Sequence, residues 1–278
     1  MKLHLYGSGA SEGVPALFCE CENCVRFRKL GGKNIRTRTG AMVDEKLLID
    51  FSADTYAHVL YGGLDLRKAE YLIVTHSHED HLYAADLMTV KPPMAFYNRE
   101  RRLEVYGNEK TIKKIEAEQK KYGRNPCEMQ KYLQLHRIKA FEKVKVGEYE
   151  ILPLPASHDK NEDCFIYCVT CNGKTLLYGH DTAYFSESVW NALTLHHLDC
   201  VVLDCTMVDT TGAFPEHMGL PDNIAVRKRM LENGMADENT VFIATHFTHI
   251  FNPEHARIRP IFEKAGIQTA YDGYEIDF

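Results

Sequence analysis

The segment Thr75-His76-Ser77-His78-Glu79-Asp80-His81 follows the apolar run Tyr71-Leu72-Ile73-Val74. The run reads as a buried parallel strand. Residues two apart on a chain that stays extended point to one side, so His76 and His78 present two imidazoles to one metal ion. Asp80 and His81 come as the chain turns towards a helix expected over 82–87, and this pair is aimed at a second ion nearby. Neutral imidazole and carboxylate are first-choice ligands for Zn²⁺, Fe²⁺ and Mn²⁺. A polar loop with solvated histidines is the bland alternative, and four ligand-type side chains within six residues argue against it.

The whole chain sets bounds on this reading. Its 278 residues, 45% apolar and 26% charged, suit a soluble globular protein, and no linker-like stretch divides it, so one domain over 1–278 is expected. The opening residues run straight into Gly7-Ser8-Gly9 without the apolar core of a signal peptide. No window approaches the ~20 apolar residues of a membrane span. A cytoplasmic protein without membrane contact is the expectation. Nine cysteines, an odd count, suit a reducing compartment rather than a disulfide framework. Cys19, Cys21 and Cys24 lie too close for easy pairing but suit a tetrahedral Zn²⁺ whose fourth ligand comes from elsewhere; inert buried thiols are the alternative.

The net charge of −6 argues against a general nucleic-acid binder, yet the segment 91–145 holds fifteen Lys and Arg against seven Asp and Glu. Lys110, Lys113, Lys114, Lys120 and Lys121 read as the solvated face of a helix over 109–122. Arg99, Arg101 and Arg102 read first as surface charge and second as phosphate contacts.

Single ligand-type residues also end other apolar strands. His158 follows Pro155-Ala156-Ser157, Asp181 follows the hairpin strand after the turn at Asn172-Gly173, and His246 follows Val241-Phe242-Ile243-Ala244-Thr245. An α/β sandwich collects a site in this way, at one sheet edge from distant parts of the chain. His58, mid-helix, reads as structural or exposed rather than as a ligand, and His196-His197 as a capping or surface pair near the end of a helix.

The His-x-His-x-Asp-His pattern after an apolar strand resembles the signature of the metallo-β-lactamase superfamily, and the order of His158, Asp181 and His246 resembles it too. The resemblance implies an αβ/βα sandwich of two mixed β-sheets flanked by helices. It implies that His76, His78 and His158 hold one divalent cation, that Asp80, His81 and His246 hold another, and that Asp181 bridges them, the ions being Zn²⁺ or Mn²⁺. The early Gly7-Ser8-Gly9 with Gly13 and Pro15, the cysteine trio and the closing Ala270-Tyr271-Asp272-Gly273 look like the branch that opens phosphoribosyl cyclic phosphate. That branch completes a structural Zn²⁺ site with a histidine three residues after the last catalytic one, which here is His249. The basic segment and the loop before His217 depart from the branch.

These likenesses imply a metal-dependent hydrolase of small, possibly cyclic, phosphodiesters, in which an activated water attacks phosphorus. Asp80 would orient that water as well as ligate, and His217 would protonate the leaving alkoxide. The same metal core also serves a thioesterase, a lactonase or a tRNA-processing nuclease, and a homodimer is compatible with the sequence. A purely metal-binding module is the weakest alternative, since every ligand position is filled.

Overall fold

The computed structural model describes residues 1–96 and 102–278. The first half of the chain gives β1 (Lys2–Gly7), β2 (Gly40–Val43), β3 (Leu47–Ile49), β4 (Tyr71–Ile73), β5 (Leu103–Gly107) and β6 (Leu133–Arg137). The second half gives β7 (Val144–Val146), β8 (Tyr149–Pro155), β9 (Phe165–Cys171), β10 (Lys174–Gly179), β11 (Cys200–Asp204), β12 (Val241–Thr245), β13 (Gln268–Thr269) and β14 (Tyr274–Asp277). They form two seven-stranded sheets, ordered β14-β1-β2-β3-β4-β5-β6 and β13-β12-β11-β10-β9-β8-β7. Both are mixed. Antiparallel hairpins lead into parallel runs at β3-β4-β5-β6 and at β10-β11-β12-β13.

The α-helices are α1 (Glu22–Leu30), α2 (Thr55–Tyr61), α3 (Ala84–Leu87), α4 (Glu109–Lys121), α5 (Pro126–Met129), α6 (Glu187–Leu193), α7 (Leu220–Glu232) and α8 (His255–Lys264). Alternation along the strands makes three apolar layers. Cys200 and Val202 of β11 face the interior between the sheets, while Val201 and Leu203 face the layer under α6, α7 and α8. In β4, Ile73 joins the inter-sheet core and Leu72 the layer on the opposite face of its sheet. The expected αβ/βα sandwich is the observed fold.

Local chemistry explains the turns. Asn172 and Gly173, at φ 50° and 76°, close the β9–β10 hairpin, and Asp44 and Glu45, at 49° and 59°, close β2–β3. Two expectations need correction. The strand before the histidine motif ends at Ile73, because Thr75 turns away to bond Asp50 through its backbone N–H and its hydroxyl. The helix after the motif starts only at Ala84, because Leu82 pairs with Phe51 in a parallel bridge.

Part of the basic segment's charge is paired within the segment and with its neighbours. Lys91 pairs with Glu128, Lys113 with Glu109, Lys121 with Glu118, Arg137 with Glu109 and Glu116, and Lys143 with Glu150. Arg102 pairs with Glu104, while Arg99 and Arg101 lie outside the described residues. No helix among the described residues is long and apolar enough to cross a membrane.

The chain ends are sewn to the Gly7–Gly9 loop. A Cβ on Gly7 would stand 1.9 Å from the carbonyl oxygen of Arg38, so only glycine fits there. Asp272 accepts from the backbone N–H and hydroxyl of both Ser8 and Thr37, at 2.6–2.9 Å. Beside it Arg36, fully buried, donates to the Ser8 hydroxyl and the Ala270 carbonyl. Asp272→Ala strands those donors and removes the carboxylate charge that offsets Arg36. It should lower stability by about 3–5 kcal/mol in urea unfolding, and a loss below about 1 kcal/mol would show that water replaces the carboxylate.

Candidate metal centre and catalytic cleft

The ligand-type residues singled out in the sequence meet at the ends of β4, β8, β10 and β12, and Asp50 after β3 and Asp204 at the end of β11 join them there. Asp50, Asp181 and His246 each follow a strand and each has positive φ, at 64°, 43° and 63°. The left-handed turn re-aims a side chain that would otherwise follow the pleat, at a cost of order 1 kcal/mol per residue. Cross-links between the sheets close the same edge. Phe165 donates to the Thr75 carbonyl, the Tyr167 hydroxyl to the Val74 carbonyl, and Ala10 and Phe247 exchange backbone bonds with the Ser8–Ala10 loop and the end of β12.

Asp181, 3% exposed, is the centre of the arrangement. Its oxygens lie 3.5 Å from His76 Nε2, 3.1 Å from His81 Nε2, 3.4 Å from His158 Nε2 and 2.9 Å from His246 Nδ1. Two donor sets share it: His76, His78, His158 and Asp181, and Asp80, His81, Asp181 and His246, with the ligand-type atoms of each set within 4.8 Å of one another. Bonds of about 2.0–2.2 Å to one ion permit such spacing.

The ring nitrogens turned away from the centre are held by the surrounding chain. His81 Nδ1 bonds Asp50 at 2.7 Å, His76 Nδ1 lies 3.1 Å from the Thr75 hydroxyl, and His78 Nε2 lies 3.5 Å from Asp159. Ligating histidines carry outer partners of this kind, which fix ring orientation and tautomer. Facing inwards, His76 Nε2, Asp80 Oδ2, His81 Nε2, Asp181 Oδ1 and His246 Nε2 are buried without a hydrogen-bond partner among the described residues. Orphaned buried donors and acceptors are costly unless a cation or water meets them. The donor set therefore fits divalent ions.

The titratable groups divide. Burial opposes ionisation of Asp181, but the imidazoles of His246 and His81 outweigh it and hold the carboxyl well below the ordinary range. Burial among other imidazoles pushes His76 well below its usual value, leaving it neutral and able to coordinate. Burial works the same way on His81 and His246, but the carboxylates of Asp50 and Asp181 raise His81 well above its usual value and Asp181 raises His246 to about 10, so these two rings give up a proton when they coordinate.

A second cluster lies beside the first. The sulfurs of Cys19, Cys21 and Cys24 stand 3.7, 3.5 and 3.3 Å from His249 Nδ1. A tetrahedral Zn²⁺ with bonds of about 2.3 Å to sulfur and 2.05 Å to nitrogen spaces S and N by about 3.6 Å. Cys21 caps α1 and accepts from the Cys24 N–H, and this bond is the main reason its thiol falls to about 6. All nine cysteines are free thiols.

The cleft above the centre, about 280 Å³, is lined by Glu12, His78, Phe214, Glu216, His217 and Ile250, among others. His217 Nδ1 bonds Asp204 at 2.7 Å and lies 3.8 Å from Asp181, outside the tightest ring of donors. Burial alone would lower the pKa of His217, and the buried Asp204 carboxylate more than offsets it, raising it. Thr206 links the two neighbouring imidazoles, at 3.2 Å from His217 Nδ1 and 3.0 Å from His246 Nδ1.

Sequence reasoning missed Asp50 and Asp204 as functional residues, although both end apolar strands at the active edge. It also missed His180, buried and stacked on Tyr178 with ring centroids 4.4 Å apart. Two of the lysines read as solvated belong to the site's surroundings. Lys114 donates to the Ser77 carbonyl inside the histidine motif and pairs with Glu79, and Lys110 pairs with Asp159 and Glu162. Glu162 in turn accepts from Ser77 and Asn108. His58 is structural, 3% exposed and 2.8 Å from the Thr37 hydroxyl.

The cysteine cluster generates a separable expectation. Cys21→Ser should release about one equivalent of zinc per chain and lower the thermal midpoint, with activity falling less than it does when Asp181 is replaced. Free reaction of all three thiols with a thiol reagent in metal-loaded protein would rule the site out.

Comparison with known proteins places this geometry. The β-lactamase superfamily domain profile matches residues 46–247. The octanoyltransferase of Porphyromonas gingivalis (strain ATCC BAA-308 / W83) is 30% identical over 166 residues, which are 58% of this chain and 31% of that protein. The chain thus spans about a third of the length of the curated relative it matches. Among solved structures, a diphosphatase from the PhnP family superposes with a TM-score of 0.75 at 23% identity, over 100% of this chain and 97% of that one. Zn²⁺-bound PqqB from Methylobacterium extorquens gives 0.71 at 16% identity, with 100% of both chains covered. The short form of human tRNase Z gives 0.68 at 12%, over 100% of this chain and 99% of that one. At such identities these structures share the fold. The profile, in contrast, runs from β3 through His246 and takes in both donor sets, and by it the chain belongs to the metallo-β-lactamase superfamily of hydrolases.

Proposed function

We propose that the protein is a dinuclear metal-dependent phosphodiesterase acting on a small phosphodiester. The observation that carries this reading is that two donor sets share Asp181 while the Asp204–His217 pair opens onto the same cleft. His76, His78, His158 and Asp181 would hold one divalent cation, Asp80, His81, His246 and Asp181 the other, and Cys19, Cys21, Cys24 and His249 a structural Zn²⁺. When bound, the paired Zn²⁺ or Mn²⁺ ions supply Lewis-acid charge and an ionised water at neutral pH.

The chain's own residues do the rest. Asp80 aims its free oxygen at the centre and orients the attacking water. Asp204 fixes the proton of His217 on Nδ1 and favours the doubly protonated ring, so Nε2 can deliver a proton to the departing oxygen. An alkoxide needs that proton, whereas a thiolate, with a conjugate acid near about 8.5, leaves without it. The pair therefore favours an oxygen ester over a thioester. The diphosphatase among the structural neighbours agrees with a phosphoryl substrate. The name of the P. gingivalis relative brings acyl chemistry into the comparison, so thioesters and lactones belong in the substrate panel. The internal pairing of the basic segment gives little support to a nucleic-acid substrate.

Asp181→Ala should remove both active-site metals and all phosphodiesterase activity towards bis-p-nitrophenyl phosphate. His217→Ala should keep the metals and lower kcat by about 10²-fold or more on a phosphodiester with an alkoxide leaving group, and far less on bis-p-nitrophenyl phosphate, whose phenolate leaves without a proton. His217 also lies within ligand range of Asp181, Asp204 and His246, so loss of metal in that variant would make it a ligand instead. Because the acid must be protonated, activity should fall as pH rises through its raised pKa. Asp204→Asn removes the charge that raises it, so the alkaline limb of the kcat profile should move to lower pH. An unmoved limb would assign that limb to another group.

A further inference from the structure

The lining of the cleft includes a carboxylate, Glu12, that the metal chemistry does not use. Glu12 lies on the loop after Gly9, and its side chain is 30% exposed. Thr248, two residues past His246, donates its hydroxyl to Glu12 Oε1. His249 Nε2, on the outer side of the ring whose Nδ1 faces the three cysteines, lies 3.9 Å from the same oxygen. One oxygen is thus anchored from the cysteine cluster's side. The other, Oε2, accepts from the Ser11 hydroxyl at 3.4 Å, at an exposed position, and from no other side chain among the described residues. Glu216 adds a second carboxylate at the exposed rim, and Phe214 and Ile250 supply apolar surface. The described lining contains no lysine or arginine.

A phosphodiester bound to metal-loaded protein would turn its non-bridging oxygens towards the cations that the two donor sets would hold. Its second ester group must then lie along the remaining wall. Resting on the phosphodiesterase reading, we propose that Glu12 selects that group: the cleft takes phosphodiesters whose second ester group is uncharged or cationic and carries an N–H or O–H donor, and disfavours those bearing a further phosphate. A fixed carboxylate accepts from such a donor, and like charge brought against it is repelled in a partly desolvated site. The loop cannot readily withdraw, because a Cβ on Gly9 would stand 2.9 Å from the Arg36 carbonyl oxygen and Ala10 is bonded to Phe247.

Three p-nitrophenyl phosphodiesters that differ only in the second ester group, 2-aminoethyl, 2-hydroxyethyl and 2-phosphooxyethyl, test the proposal on metal-loaded enzyme. In each, water adds its oxygen to phosphorus and gives up a proton, while the bond to p-nitrophenolate breaks and the electron pair leaves with it. We expect kcat/KM to fall in the order given, by at least about tenfold from first to last. Glu12→Gln, which keeps the bond to Thr248 but removes the charge, should narrow the span to within about threefold at unchanged metal content. Fastest turnover of the 2-phosphooxyethyl ester, or a span unaltered in Glu12→Gln, overturns the proposal. If none of the three is hydrolysed, the phosphodiesterase reading fails by itself and selection is read from binding. Calorimetry should then show ethanolamine phosphate binding metal-loaded protein more tightly than ethylene glycol bisphosphate, with the preference collapsing in Glu12→Gln. The same preference in both proteins, or none in the wild type, overturns the inference.

Discussion

A carboxylate that is almost wholly removed from water, Asp181, stands among four imidazoles, and the rest of the molecule is arranged so that this can be so. Burying an ionised carboxyl costs several kcal/mol unless opposite charge meets it in good geometry. Protonated rings at His81 and His246 can provide that charge, and divalent cations provide it once those rings give up their protons to coordinate. The inward-facing atoms that lack hydrogen-bond partners are the other half of the same constraint: a site that is incomplete as a protein and complete as a coordination shell.

Satisfying the constraint takes both halves of the chain. His76, His78, Asp80 and His81 come from the first sheet, His158, Asp181 and His246 from the second, and the apolar layer between the sheets holds them in register. The backbone bonds from Phe165 and Phe247 fix the edge where the two meet. A further ring of residues then aims the ligands, Asp50 on His81 and Asp159 on His78, while Lys114 and Glu162 hold the Ser77 position between two ligands. The loop that carries Glu12 meets the loop that carries Thr248 and His249, and together they join the cysteine cluster to the cleft, so the two metal-type clusters are not independent furniture on one scaffold.

The ligand-type residues were legible in the sequence because each is a polar side chain placed where an apolar run stops, and strand ends on one side of a parallel sheet converge. The same rule would have found Asp50 and Asp204. Each stands at its strand end without a second histidine or carboxylate beside it, and nothing in one dimension says that Asp204 faces His217, thirteen residues on, across a loop. His180 escaped because it adjoins a stronger candidate, and its stacking on Tyr178 depends on three-dimensional packing. The lysines of α4 show the opposite limit. Helical periodicity puts Lys110 and Lys114 on an exposed face, but which way that face turns depends on how α4 is laid across the sheet, and it turns towards the histidine motif.

The left-handed turns at Asp50, Asp181 and His246 bear on how such a chain can change over generations. Two filters act on each position, one from the backbone, which tolerates Gly, Asn and Asp best at positive φ, and one from the site, which demands a particular donor. Aspartate passes both. Glutamate, the usual conservative exchange, keeps the charge but lengthens the arm and suits the turn less well, so it is penalised by both filters at once. Asparagine or glycine pleases the backbone and silences the chemistry. The sequences nearest to this one that fold at least as easily are therefore inactive ones, and a lineage released from selection for catalysis at these corners would drift downhill into a stable scaffold that has forgotten its reaction.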